Sequence, residues 1–310
     1  MTETQGRTTC ERLLDTDQLL IADGGMGTLL MQRGLEVGGC PELLNVDEPG
    51  IVARIHEEYV DGGADIILSN TFGGSAARLA HFGLENRVDE LNATGVEVAR
   101  SVAVDADRPV AVAGSMGPIG ELFTPYGPLD RDRALALFGE QGEALAGAGA
   151  DVLWIETISS LDELSAAFDA AAKTELPIVT TMSFDAHGKT MMGVSAAQLG
   201  TWALERSRLP LAIGANCGIG PEDVVEAVRA INEVAPAIAT VAKANCGLPV
   251  MVDGKVEYPL GPVEMPPYAA KAFRLGARIV GACCGATPAH VAAIREATEP
   301  GRLPLSASPE

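Results

Sequence analysis

The chain has no excess of basic residues, few aromatic side chains and no long apolar run. Its 22 lysines and arginines stand against 42 aspartates and glutamates, so the net charge is −20. This charge excludes electrostatically driven nucleic-acid binding, which needs a basic face. No apolar stretch approaches the about 18–20 residues of a membrane helix, and residues 1–7 lack the order of a signal peptide. We expect a cytoplasmic protein that binds neither nucleic acid nor membrane.

Short apolar runs recur along the whole sequence. Hydrophobic residues make up 47% of the 310 positions, and their even spread predicts a folded protein rather than a disordered one. Runs that end near Gly, Asn, Ser or Thr predict eight strands, at 19–22, 65–69, 110–114, 151–156, 178–183, 211–215, 239–243 and 278–281.

Stretches of helical period separate these strands, because their apolar residues recur every three or four positions. They include 51–62, 88–104, 131–147, 161–173, 221–233 and 264–275. Eightfold alternation predicts an α/β chain of one domain, a (β/α)8 TIM barrel over residues 1–310 with its core at about 15–297. A doubly wound sheet would favour a Gly-x-Gly-x-x-Gly turn after the first strand, which the sequence Asp-Gly-Gly-Met-Gly-Thr at 23–28 does not match.

A Gly-Ala pair precedes three of the predicted strands, at Gly63, Gly149 and Gly276. Each pair follows a predicted helix. Glycine there predicts a helix end with left-handed backbone.

Cysteines lie at three predicted strand ends, as Cys217, Cys246 and the pair Cys283-Cys284. In a barrel these ends meet at one face. Adjacent cysteines on a glycine-flanked turn can both face one metal, and a third thiolate would complete a zinc site with an open fourth position. Cys217 and Cys246 both lie in Ala-Asn-Cys-Gly, so spacing leaves either one as the third ligand.

Two other uses of these cysteines are possible on the residues alone. A dithiol redox enzyme would normally carry Cys-x-x-Cys, which is absent. A structural zinc site would be closed by Cys246 as a fourth ligand. The remaining cysteines, Cys10 and Cys40, are expected to be small buried side chains.

Several motifs together resemble the homocysteine S-methyltransferase family. They are the runs at 23–28 and 70–72, Gly117-Pro118, Glu156-Thr157, Asn216-Cys217-Gly218 and Cys-Cys-Gly-Ala-Thr-Pro at 283–288. The resemblance extends in order from about residue 15 to 297. It implies a zinc-dependent methyltransferase of methionine biosynthesis, whose substrates are homocysteine and a small methyl donor.

The resemblance also implies a ligand set. Cys217, Cys283 and Cys284 match the zinc ligands of the family. Cys246 stands where the family commonly has alanine, which makes it a bystander.

A homocysteine pocket follows from the same resemblance. Asp23 and Glu156 match acidic positions that bind the amino group of homocysteine. Asn70, Thr71 and Asn216 lie in the matching motifs and are further candidates for substrate binding. No catalytic side chain is expected beyond the metal-activated thiolate of the substrate.

The methyl donor is predicted to be an onium compound such as betaine, S-methylmethionine or a related sulfonium. Cations of this kind favour aromatic faces, and Phe72, Phe123 and Tyr126 fall on loops after the second and third strands. The alternative is a homocysteine-activating module that works with a separate methylcobalamin protein, since the chain carries no Asp-x-His-x-x-Gly corrinoid signature. The sequence predicts no particular oligomeric state.

Overall fold

Eight parallel strands form one sheet in the computed structural model of the protein, which describes residues 8–14, 19–185, 187–252 and 255–298. The strands are β1 Leu20–Ile21, β2 Ile66–Leu68, β3 Ala111–Met116, β4 Val152–Ile158, β5 Ile178–Met182, β6 Ala212–Cys217, β7 Ala239–Ala244 and β10 Ala277–Ala282. Their spatial order is β1-β10-β7-β6-β5-β4-β3-β2.

A parallel bridge between Ala22 and Ile66 joins the first strand to the second and closes the sheet. The Asp23 amide also donates to the Ile66 carbonyl at 3.0 Å. The fold is therefore the predicted (β/α)8 barrel, and the eight predicted strands are confirmed.

Helices connect successive strands and cover the outside of the barrel. In the described part of the chain these helices are α2 Met26–Gln32, α3 Leu44–Asp47, α4 Pro49–Asp61, α5 Ala76–Leu79, α6 Val88–Asp105, α7 Arg131–Gly147, α8 Leu161–Ala171, α9 Ala196–Leu204, α10 Pro221–Val234 and α11 Met265–Arg274. Helix α1 Thr9–Leu14 precedes β1, and α12 Pro288–Thr298 follows β10. None of the described helices is long and apolar enough to cross a membrane.

Glycines end three of these helices as the sequence predicts. Gly63, Gly149 and Gly276 have φ angles of 97°, 92° and 99°, which is the left-handed region that favours glycine. Each lies two residues past its helix and turns the chain into the next strand.

Alternating side chains of the strands fill the barrel interior. One buried cluster contains Ile66 of β2, Val152 and Trp154 of β4 and Val241 of β7, together with Cys10 of α1. Helix α1 therefore packs on the interior of the barrel, and Cys10 is buried as expected. Cys40 is also buried.

The carboxyl ends of the strands are polar and form the floor of a cavity. Charged or hydrogen-bonding side chains lie at or just after the ends of five strands. They are Asp23 after β1, Ser115 in β3, Glu156 in β4, Asn216 in β6 and Lys243 in β7. All five are buried. An antiparallel hairpin, β8 Val250–Val252 and β9 Lys255–Glu257, follows β7 at the same end.

Candidate active site

Three cysteines converge at the carboxyl ends of β6 and β10. The sulfur of Cys217 lies 3.0 Å from that of Cys283 and 3.8 Å from that of Cys284, and all three are half-buried. Two sulfurs on a tetrahedral zinc ion, each at 2.3 Å, would be about 3.8 Å apart. The Cys217–Cys284 distance matches this spacing, and all three sulfurs lie within 4.8 Å of one another, so this cysteine cluster offers the soft donors that a thiophilic metal ion prefers.

Two asparagines hold the loops that carry the cluster. Asn216 accepts hydrogen bonds from the Thr157 amide and the Thr181 hydroxyl, at 2.9 and 2.7 Å. Asn245 accepts from the Cys284 amide at 3.0 Å and donates to the Gly218 carbonyl at 2.8 Å. The two Ala-Asn-Cys-Gly repeats therefore tie β4, β6, β7 and the Cys283-Cys284 turn together through their asparagines.

Backbone strain is concentrated at this edge of the barrel. Thr157 and Cys217 have φ angles of 63° and 58°, a region that residues other than glycine rarely adopt and that often marks functional sites. Gly285 has φ +84°, and a Cβ there would lie 2.3 Å from Cγ of Tyr258. The turn after the cysteine pair can therefore be made only by glycine while Tyr258 packs over it.

The three thiols do not titrate alike. The pKa of Cys284 is lowered to about 3, because Cys217 and Cys283 stabilise its thiolate by hydrogen bonding. The pKa of Cys217 is raised by the same pairing and by burial. The cluster therefore holds a thiolate readily, which is the form that binds metal.

Cys246 is fully buried in the hydrophobic core and is not part of the cysteine cluster. Its amide donates to the Cys284 carbonyl at 2.9 Å. The residue therefore supports the turn through its backbone. Spacing alone left either Cys217 or Cys246 as the third ligand. The structure places Cys217 beside Cys283 and Cys284.

A cavity of about 650 Å³ lies beside the cluster, and Glu156 is on its wall. Oε1 of Glu156 accepts from the Ser115 hydroxyl at 2.5 Å. Burial raises the pKa of this carboxyl to about 7, and the positive charge of Lys243 opposes the rise. Glu156 is thus a carboxylate within reach of a ligand in the cavity.

Asp23 also lines the cavity, but its carboxylate is already paired. Oδ1 accepts from Nζ of Lys243 at 2.9 Å and Oδ2 from the Leu68 amide at 2.7 Å. Only 2–3% of either charged side chain is exposed. Asp23, Lys243 and Glu156 together therefore give this floor one net negative charge when all three are ionised.

The other three residues predicted to bind substrate lie at different distances from the cavity. Asn70 lines the cavity and donates to the Pro41 carbonyl at 2.7 Å. Thr71 is fully buried, bonds to the Ser115 carbonyl and is not on the cavity wall. Asn216 lies beneath the cluster, 3.9 Å from the Cys283 sulfur.

Of the three aromatic residues predicted to bind the donor, only Phe72 lines this cavity. Phe123 and Tyr126 lie on the loop after β3, and 78% of Tyr126 is exposed. The structure therefore does not bring these two side chains together with Phe72.

Lys243 and Tyr258 line the cavity but were not singled out from the sequence. A lysine inside the apolar strand sequence Ala-Thr-Val-Ala-Lys-Ala was the available signal for Lys243, since a buried lysine needs an acidic partner. Tyr258 follows the hairpin and lies outside the barrel strands, so the strand pattern of the sequence does not predict a position at the cavity.

Comparison with known proteins identifies the family. A family model described as homocysteine S-methyltransferase matches residues 20–298. The chain belongs to the homocysteine S-methyltransferase family. The predicted family is confirmed.

Two methionine synthases are similar in sequence over almost the whole chain. The protein of Mycobacterium tuberculosis is 32% identical over 306 residues and that of Mycobacterium leprae 31% identical over 299 residues. These matches cover 91% and 90% of this chain but only 25% and 24% of the relatives. The chain thus spans about a quarter of their length.

The homocysteine methyltransferase MmuM of Escherichia coli has a similar structure. Its oxidized form superposes with a TM-score of 0.78 at 25% identity, over 94% of this chain and 99% of MmuM. Its metallated form gives the same TM-score at 24% identity, over 93% and 99%. These matches support the barrel fold.

Proposed function

We propose that this member of the homocysteine S-methyltransferase family transfers a methyl group from a small onium donor to homocysteine, giving methionine. The observation that carries the proposal is the cysteine cluster opening onto a cavity with a buried carboxylate, Glu156. The arrangement offers one site for a sulfur and one for an ammonium group. Homocysteine carries both a thiol and an ammonium group.

Zinc is the proposed metal, and Cys217, Cys283 and Cys284 are its proposed ligands. Three thiolates with no fourth protein ligand among the described residues leave one coordination position for the substrate. A zinc ion held there would lower the pKa of the homocysteine thiol, and the substrate would then bind as a thiolate at neutral pH.

The polar residues of the cavity have separate proposed tasks. Glu156 binds the ammonium group, while Ser115 holds its second oxygen in place. Asp23 holds Lys243 and the Leu68 amide in place in the cavity floor, and the ammonium group of Lys243 balances its negative charge. Asn216 positions Cys283, and Asn70 borders the substrate.

The proposed reaction is a displacement at the methyl carbon. The bond between that carbon and the onium sulfur or nitrogen breaks, and its electron pair stays on the donor atom as a neutral thioether or amine. A carbon–sulfur bond forms to homocysteine, whose thiol proton has passed to solvent.

A second candidate donor is a separate methylcobalamin protein, and the similarity to two methionine synthases favours it. A donor screen with zinc-loaded protein and homocysteine distinguishes the two. We expect methionine from betaine, S-methylmethionine or a related sulfonium without corrinoid. Methionine only after addition of a methylcobalamin protein would overturn the onium donor and leave the family activity intact.

Replacing Glu156 by glutamine should weaken homocysteine binding and spare the metal. We expect KM for homocysteine to rise about 10- to 100-fold, because a charged hydrogen bond contributes about 1.5–3 kcal/mol. Because the pKa of Glu156 is about 7, homocysteine should bind the wild type more tightly as the pH rises from 6 to 8. The glutamine variant should lose that part of the dependence. An unchanged KM would reject the role.

Phe72→Ala should raise KM for the onium donor about 3- to 30-fold, with KM for homocysteine unchanged, because a desolvated cation–aromatic contact contributes up to about 2 kcal/mol. Phe123→Ala and Tyr126→Ala should have smaller effects, since neither side chain lines the cavity. Steady-state kinetics with both substrates varied gives the comparison. Equal effects of all three substitutions would contradict this ranking.

A further inference from the structure

The loop between β7 and α11 begins and ends beside the Cys283-Cys284 turn. It leaves the barrel at Cys246, forms the β8–β9 hairpin and returns at Leu260, whose amide donates to the Cys246 carbonyl at 3.1 Å. The Cys246 amide in turn donates to the Cys284 carbonyl at 2.9 Å. The two ends of the loop are therefore joined to each other and to the turn that carries two sulfurs of the cysteine cluster.

The returning segment, residues 258–260, is termed here the strap, and a histidine of α12 fixes it. Nδ1 of His290 accepts from the Thr287 amide at 3.1 Å. The proton of a neutral imidazole is then on Nε2, which donates to the Leu260 carbonyl at 3.1 Å. Leu260 is therefore held through both its amide and its carbonyl, so the strap has a fixed position against the Cys283-Cys284 turn.

Tyr258 is the first residue of the strap and lies over this turn. It is half-buried on the cavity wall, and a Cβ on Gly285 would lie 2.6 Å from Cδ1 of its ring. The tyrosine therefore packs directly on the residue that follows Cys284. Its hydroxyl donates a hydrogen bond to the Cys284 sulfur.

Each sulfur of the adjacent pair thus has a polar neighbour from another part of the chain. Nδ2 of Asn216 lies 3.9 Å from the Cys283 sulfur, and Tyr258 provides the corresponding donor for Cys284. A donor of this kind fixes the orientation of a metal-binding side chain and withdraws electron density from its sulfur. Asn216 belongs to a barrel strand, whereas Tyr258 depends on the strap for its position.

We propose that Tyr258 is a positioning residue for methyl transfer, whose hydroxyl fixes the orientation of the Cys284 thiolate while the strap holds its ring over Gly285. This inference rests on the proposed metal site at the cysteine cluster and adds a residue outside the ligand set. It also gives the β8–β9 hairpin a role, because the hairpin returns the chain to the barrel mouth with Tyr258 directly after its second strand. No bond forms or breaks at Tyr258.

Tyr258→Phe removes the hydroxyl and keeps the ring over Gly285, so it tests the hydrogen bond alone. We expect zinc affinity, measured by competition with a chromophoric chelator, to fall about ten-fold, since outer-shell partners of metal ligands contribute about 10- to 100-fold to affinity or activity. With cobalt(II) in place of zinc, the sulfur-to-metal charge-transfer band should move to longer wavelength, because a thiolate without this hydrogen bond gives up an electron more readily.

Tyr59→Phe is the matched control, because the Tyr59 hydroxyl supports the same turn through a backbone oxygen, the Ala286 carbonyl at 3.0 Å. It should lower the free energy of unfolding and leave the zinc affinity and the cobalt band unchanged. His290→Ala should produce part of both changes seen in Tyr258→Phe, since the strap then loses its hold on the Leu260 carbonyl.

Wild-type zinc affinity and an unshifted cobalt band in Tyr258→Phe would overturn the role of Tyr258 and leave the metal site intact. Equal shifts in Tyr258→Phe and Tyr59→Phe would also overturn it, because they would show that any loosening of the turn has this effect. A wild-type protein that binds neither zinc nor cobalt at the cysteine cluster would instead refute the proposed metal site, and this role with it.

Discussion

Cys283→Ala, Cys284→Ala and Cys217→Ser should each lose the bound metal and all measurable methyl transfer. Each sulfur is one of three that meet within 4.8 Å, and two thiolates cannot hold zinc in the geometry that leaves a single open position. Zinc content by mass spectrometry, beside methionine formation, is the measurement. We expect about one zinc per wild-type chain and a small fraction of that in each variant.

Cys246→Ala is the matched control for these three substitutions. It occupies the same Ala-Asn-Cys-Gly context as Cys217 but is buried in the core, outside the cluster. Alanine should keep the metal and most activity, and cost about 1 kcal/mol of folding free energy through a small cavity. Loss of zinc from Cys246→Ala with retention in Cys217→Ser would show that the ligand assignment is wrong.

Lys243→Met should be the most destabilising single change at the site. It leaves the carboxylate of Asp23 buried with its Leu68 hydrogen bond but without its ammonium partner. Breaking a buried pair from one side costs about 3–5 kcal/mol. The free energy of unfolding in urea at pH 7.5 should fall by that amount, whereas Lys189→Met, at an exposed lysine, should leave it unchanged.

The double variant Lys243→Met with Asp23→Asn separates loss of pairing from loss of packing. An asparagine can still accept from the Leu68 amide and carries no buried charge, so most of the lost stability should return. A double variant as unstable as Lys243→Met alone would show that the aliphatic chain of the lysine, rather than the ion pair, stabilises the barrel.

The barrel could be predicted from the sequence because its strands are buried on both faces and read as short apolar runs. Arg131–Gly147, predicted from its period, is the observed helix α7, and the eight predicted strands all form. The hairpin of β8 and β9 was not predicted. Its residues Val250, Met251 and Val252 are exposed, so burial does not determine their pattern.

The cysteine cluster was predictable because strand ends of a barrel meet at one face, and two cysteines are adjacent in sequence. The charge balance of the cavity floor could not be predicted from the sequence. Asp23 and Lys243 are 220 residues apart, and only the closure of β1 onto β10, with β7 beside it, brings them together.

X-ray absorption at the zinc edge, with and without homocysteine, tests the central claim most directly, because it counts the sulfur neighbours of the metal. We predict three sulfurs per zinc in the protein alone and four after homocysteine is added, with no increase on adding homoserine, which lacks the thiol. Four sulfurs before any substrate is added, or three that homocysteine leaves unchanged, would contradict an open site at Cys217, Cys283 and Cys284.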